Sequence, residues 1–151
     1  MTAPLPRVLL MTGEWPVKSA RRQAEALHDA GVCVEIFAYR AAPNPYGYLA
    51  AWTRLRPRLH RGRYDVAHAQ APESVLLALP KRVPLVVTLD HWQPLDRRLA
   101  RRADAVIVSS EELRARVRTR APVHVIAPDL AEAALAARLL DVYQSVVSLS
   151  A

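Results

Sequence analysis

The chain has 151 residues, a formal net charge of +7 and a single cysteine, Cys33. That length suits one domain that buries most of its apolar surface without staples, and a lone cysteine excludes an intrachain disulfide or a cysteine-built metal cluster. No apolar run approaches the roughly 18 residues of a membrane span and no signal-peptide pattern opens the chain, so a reducing cytoplasm is the expected setting. The positive charge is almost wholly arginine, Lys18 and Lys81 being the only lysines. Such a balance permits a basic binding module for an anionic membrane surface or nucleic acid, and also describes a solvated arginine-rich surface; no specific nucleic acid is predicted.

In chain order, an apolar run over residues 7–11 predicts a first buried strand, ending at Thr12-Gly13-Glu14-Trp15-Pro16. Val17, Ala20, Ala24 and Leu27 recur at helical spacing, and Gly31 stands where a helix end takes a left-handed residue. A second strand over 33–39 completes a βαβ unit, and the right-handed crossover rule makes its strands parallel. The loop around Pro43, Asn44, Pro45 and Gly47 precedes a helix carrying Tyr48, Trp52, Leu55 and Leu59 on one stripe. Arg54, Arg56, Arg58, Arg61 and Arg63 crowd the end of that helix, where cations suit the helix dipole.

A third strand is predicted over 65–70, a short helix over 72–79 and a fourth strand over 85–89. The fourth strand ends in Asp90-His91-Trp92, and Leu95 and Leu99 suggest a helix after Pro94. The fifth strand, 105–108, ends in Ser109-Ser110, where Ser109-x-x-Glu112 reads as a capping box for the next helix. A sixth strand over 123–126 and a final helix follow, the latter with Leu130, Ala134, Ala137, Leu140, Tyr143 and Val147 as its apolar stripe. Six strands alternating with helices predict an α/β, three-layer, doubly wound parallel sheet of order 3-2-1-4-5-6. Its switch point would lie between the first and fourth strands, where Gly13 and Glu14 face Asp90 and His91.

The glycines needed for a dinucleotide or P-loop phosphate cradle are absent. Asp90 and His91 are candidate catalytic residues, although neighbours on an extended chain point to opposite faces and do not pair there. Gly13, Glu14, Trp92, Ser109 and Ser110 are candidate substrate contacts. Ser109 and Ser110 lack a nucleophile elbow, and capping accounts for Ser109. His68 is expected to fill the core or rim with a backbone hydrogen bond, and His28, His60 and His124 show no metal-ligand spacing, so no metal is predicted.

Arg7-Val-Leu-Leu-Met-Thr-Gly-Glu-Trp-Pro, Tyr64-Asp-Val-Ala-His-Ala, Val83-Pro-Leu-Val-Val-Thr-Leu and Ala103-Asp-Ala-Val-Ile-Val-Ser-Ser-Glu-Glu-Leu occur in that order. Together they resemble the N-terminal, acceptor-side, Rossmann-like domain of GT-B retaining glycosyltransferases of family 4, over about 6–126. The helix with Ala136, Arg138, Leu139, Leu140 and Tyr143 is similar to the one that ends full-length members and crosses back onto this domain. The resemblance implies a sugar or lipid-linked acceptor and a nucleotide-sugar donor, the latter held mainly by a second domain with a Glu-x7-Glu element that these residues do not contain.

The sequence also departs from the family pattern. The glycine pair after the first strand is replaced near Val17 to Ser19, His91 falls one place after the usual Thr-x-His position at Thr88-Leu89-Asp90, and Gln70 stands for the second histidine of His-x-His. Pro128-Asp129 runs directly into the last helix. The expectation is therefore a single domain over 1–151, an N-terminal half over 1–128 closed by a helix over 129–151, reduced naturally or by engineering and unable to transfer sugar alone. An exposed former interdomain face would then favour a homodimer or scaffold.

Overall fold

Continuous apolar runs and helical repeats alternate along the chain, and the computed structural model, which describes residues 4–13, 18–40 and 45–150, folds them into one parallel sheet. In chain order the elements are β1 (Val8–Thr12), α1 (Lys18–Asp29), β2 (Val34–Ala38), α2 (Pro45–His60), β3 (Val66–Ala69), a 3₁₀ segment (Pro72–Ala78), β4 (Leu85–Leu89), α3 (Pro94–Ala100), β5 (Ala105–Val108), α4 (Glu111–Arg116), β6 (Val123–Val125) and α5 (Glu132–Ser150). Gly31 has φ +87°, the left-handed turn that ends α1, whereas the short helix expected over 72–79 is 3₁₀.

The fold class is the expected Rossmann-like three-layer α/β/α arrangement, with one correction. The strand order is β2-β1-β3-β4-β5-β6, not 3-2-1-4-5-6, so β3 lies beside β1 and β2 is an edge. The cause is written in the strands: β3 (Val-Ala-His-Ala) is buried at every position, while β2 carries the exposed Glu35 at its second position. A carboxylate in the body of a strand suits an edge, where water or a nearby donor reaches it. Here the Tyr64 hydroxyl donates to Glu35 Oε2. The switch point therefore falls between β1 and β3, displacing the expected site by one strand.

Because side chains alternate along a strand, each strand feeds both layers. Leu9, Met11, Ala67, Ala69, Leu85, Val87, Val106 and Val108 join the core under α2, the 3₁₀ segment, α3 and α4. Val8, Leu10, Val66, Val86, Ala105 and Ile107 pack on the other side against α1 and α5. The last helix docks by Leu135, Ala136, Leu139, Val142, Tyr143 and Val146, whereas Ala134 and Ala137, assigned to its stripe from periodicity, are exposed. Adjacent apolar pairs such as Leu139-Leu140 and Val146-Val147 make the helix apolar over a wide arc, so periodicity alone leaves its rotation open. Arg22 of α1 fastens the entry to α5, donating through Nη1 to the Pro128 carbonyl at 2.9 Å and through Nη2 to the Leu130 carbonyl.

Among the arginines near the end of α2, Arg56 is not solvated. It is buried, donating to the carbonyls of Pro80 (3.1 Å) and Leu77 (3.3 Å), with its guanidinium over the Trp52 ring. Burial holds its pKa below the usual arginine value.

Candidate functional site

A cleft of about 520 Å³ opens at the carboxyl ends of the strands, on the side covered by α1 and α5. Lys18, Ser19, Arg22 and Gln23 come from the first turns of α1, and Gln70, Thr88, Asp90 and Ser109 from the ends of β3, β4 and β5. Ile107, Ile126, Leu135 and Leu139 supply its apolar floor and far wall. Thr88 and Asp90 are both brought here because residues two apart on a strand share a face.

A hydrogen-bonded row runs from this cleft into the layer beneath it. Gln70 Nε2 donates to Gln23 Oε1 at 3.0 Å and lies 3.4 Å from His68 Nδ1. His68, fully buried, meets the Tyr143 hydroxyl at Nδ1 (2.7 Å) and Thr88 Oγ1 at Nε2 (2.7 Å). The expected backbone partner of His68 is thus replaced by side chains of β4 and α5. Desolvation pushes the His68 pKa down to about 3, so the ring is neutral, and burial raises that of Tyr143, which keeps its proton. A neutral ring carries one N–H; with Tyr143 and Gln70 donating to Nδ1, that hydrogen sits on Nε2 and is donated to Thr88.

The candidate residues separate into different surroundings. Asp90 and Ser109 line the cleft. Ser110, not Ser109, caps α4, its Oγ accepting from the Leu113 N–H at 3.2 Å, which leaves the Ser109 side chain for the cleft. Gly13 is half-buried, and a Cβ there would meet Tyr39 Oη at an ordinary 3.9 Å, so packing does not demand glycine. Glu14 lies outside the described residues. Trp92 departs from the expectation of a surface contact: only 7% exposed, it belongs to the core under α3, with Arg97 over its ring.

His91 diverges from Asp90 as an extended chain requires, and finds a different carboxylate. Its Nδ1 lies 2.6 Å from Asp96 Oδ2, in a pair whose side chains are 57% and 6% exposed. Asp96 also accepts from the Gln93 N–H at 2.8 Å, the N3 carboxylate of a capping box that starts α3 at Pro94. Donation from Nδ1–H to the buried carboxylate fixes the ring of this half-exposed side chain and leaves Nε2 as its other nitrogen. Asp96 and Lys18 carry no site signal in the sequence, and Gln70 and Thr88 stand out there only as departures from the family pattern. Gln93-Pro94-x-Asp96 is a legible cap signal, and the pairs 68/70 and 88/90 show which polar residues share a strand face. Among the described residues no group of acids, histidines or cysteines is placed to hold a metal ion, and no helix is long and apolar enough to cross a membrane.

In fold the chain is similar to a sucrose-phosphate synthase from Thermosynechococcus elongatus, at a TM-score of 0.75 and 17% identity, over 96% of this chain and 99% of that one. No curated protein sequence matches it. The sequence model for Glycosyltransferase Family 4 matches residues 7–128, which include every strand and the cleft ends of β3, β4 and β5. By that match the chain belongs to glycosyltransferase family 4.

Proposed function

We propose that this domain is the acceptor-side half of a GT-B glycosyltransferase: it binds a sugar, free or lipid-linked, and does not transfer a glycosyl group by itself. The observation that carries the reading is the make-up of the cleft. Amide, hydroxyl and carboxylate groups of Gln70, Thr88, Asp90 and Ser109 line it beside an apolar wall, the mixture that orients a polyhydroxylated ligand. Its cations are few. Arg22 is committed to the carbonyls of Pro128 and Leu130, which leaves Lys18 to meet negative charge. A departing nucleoside diphosphate needs several aligned donors in the transition state, and no glutamate pair at Glu-x7-Glu spacing occurs in the sequence. His91, tied to Asp96 through Nδ1, is the basic group closest in sequence to the cleft residue Asp90.

Titration with hexoses and hexose phosphates, followed by NMR, is expected to shift the signals of Gln70, Thr88 and Ser109 before others. Incubation with nucleotide-sugars is expected to release no nucleoside diphosphate. Release that disappears in His91→Ala would show a competent transferase and overturn the second half of the reading; sugar titrations that leave the cleft signals unmoved would overturn the first.

A further inference from the structure

A second cavity, of about 830 Å³, lies at the other end of the sheet, where β5 and β6 begin. Arg101, from the end of α3, lines it together with Arg118 and Arg120 from the segment between α4 and β6. The carboxylate in its wall, Asp104, is already engaged at both oxygens, Oδ1 by Lys81 Nζ at 2.8 Å and Oδ2 by the Leu85 N–H at 2.8 Å. Among the described residues, the side chains of Arg101, Arg118 and Arg120 make no ion pair or hydrogen bond. The main-chain N–H groups of residues 118–120 likewise donate to no protein acceptor.

Like charges gathered around one concavity, with the neighbouring acid neutralised, repel one another until an anion enters. Guanidinium forks match phosphoryl oxygens in pairs, and the N–H groups of residues 118–120, without a protein acceptor, remain available as further donors. The volume is that of a small-molecule site. We propose that this cavity binds a compact anion carrying one or more phosphoryl groups, at a place separate from the cleft at the carboxyl ends of the strands.

The test is calorimetric titration of the whole chain with inorganic pyrophosphate at low salt, alongside sedimentation with phosphatidylcholine vesicles containing phosphatidic acid. Pyrophosphate binding is expected to weaken by roughly tenfold or more in the Arg118→Ala/Arg120→Ala double variant, whose altered side chains are exposed and leave the thermal midpoint in place. It is expected to persist in Lys18→Ala, which removes a cation from the opposite cleft. Vesicle binding with the same arginine dependence and no response to pyrophosphate would assign the phosphoryl group to a lipid headgroup at this same cavity. Binding of neither probe, equal binding by the double variant, or binding lost only in Lys18→Ala overturns the proposal.

Discussion

His68 is expected to make the protein sensitive to mild acid, well above the range in which carboxylates titrate. In the unfolded chain its pKa is near the ordinary 6.5, whereas burial between Thr88 and Tyr143 holds it near 3 in the fold. Between these values the unfolded state binds the extra proton, so stability is fully present above pH 6.5 and falls as pH is lowered toward 3. One proton corresponds to about 1.4 kcal/mol per pH unit, so acidification from about pH 7.5 to about pH 5 removes about 2 kcal/mol. That is a substantial part of the roughly 5–15 kcal/mol typical of a domain. Urea unfolding of wild type and His68→Gln across this range measures it. His124 and Asp65, whose pKa values are also lowered in the fold, titrate in both proteins and cancel in the difference. The wild-type advantage over the variant should shrink by about 2 kcal/mol as the pH falls. A difference that stays constant with pH would mean that the ring is not held neutral, and would refute the reasoning.

Other outcomes follow from burial and capping. Leu139→Ala is expected to cost roughly 2–5 kcal/mol in chemical unfolding, whereas Ala137→Ser stays within about 0.5 kcal/mol; the reverse ranking would mean that α5 is rotated. Trp92→Ala should cost roughly 3–5 kcal/mol, because the ring fills the core under α3, and an unchanged unfolding midpoint would return it to the surface. Ser110→Ala should lose about 1 kcal/mol of cap energy while Ser109→Ala loses almost none, a comparison that thermal melts of the two variants decide.

The sequence was most legible where one physical constraint acted alone. Runs such as Leu-Val-Val-Thr-Leu at 85–89 and Ala-Val-Ile-Val at 105–108 have one use in an α/β protein, and they form β4 and β5 over those residues. The order of the strands required weighing Glu35 against the fully apolar neighbours of His68, a comparison between segments that periodicity within each does not make. Ser109 and Ser110 present the same hydroxyl one residue apart, so the choice of cap depended on where β5 stops. His91 was visible as a basic residue at a strand end, but its partner was hidden five positions on in Asp96, where a turn and not a repeat brings the two together. The row through Gln23, Gln70, His68 and Tyr143 joins elements separated by up to 75 residues in a bond such as that between His68 and Tyr143, a proximity that exists only once α5 has docked.

The clasp of Arg22 on the carbonyls of Pro128 and Leu130 bears on how extra chain can be accommodated at this junction. The connection between β6 and α5 passes the mouth of the cleft, where Ala127 and Pro128 form part of the rim. The strand before it and the helix after it are each held by their own contacts, β6 by β5 and α5 by α1 and the sheet. A folded module spliced in after Leu130 would therefore leave both anchor points in register and stand over the opening, whereas one spliced in between the clasped carbonyls would pull them apart. Extra chain is therefore expected to be tolerated after Leu130 and not between Pro128 and Leu130, where it would separate the two carbonyls that Arg22 holds.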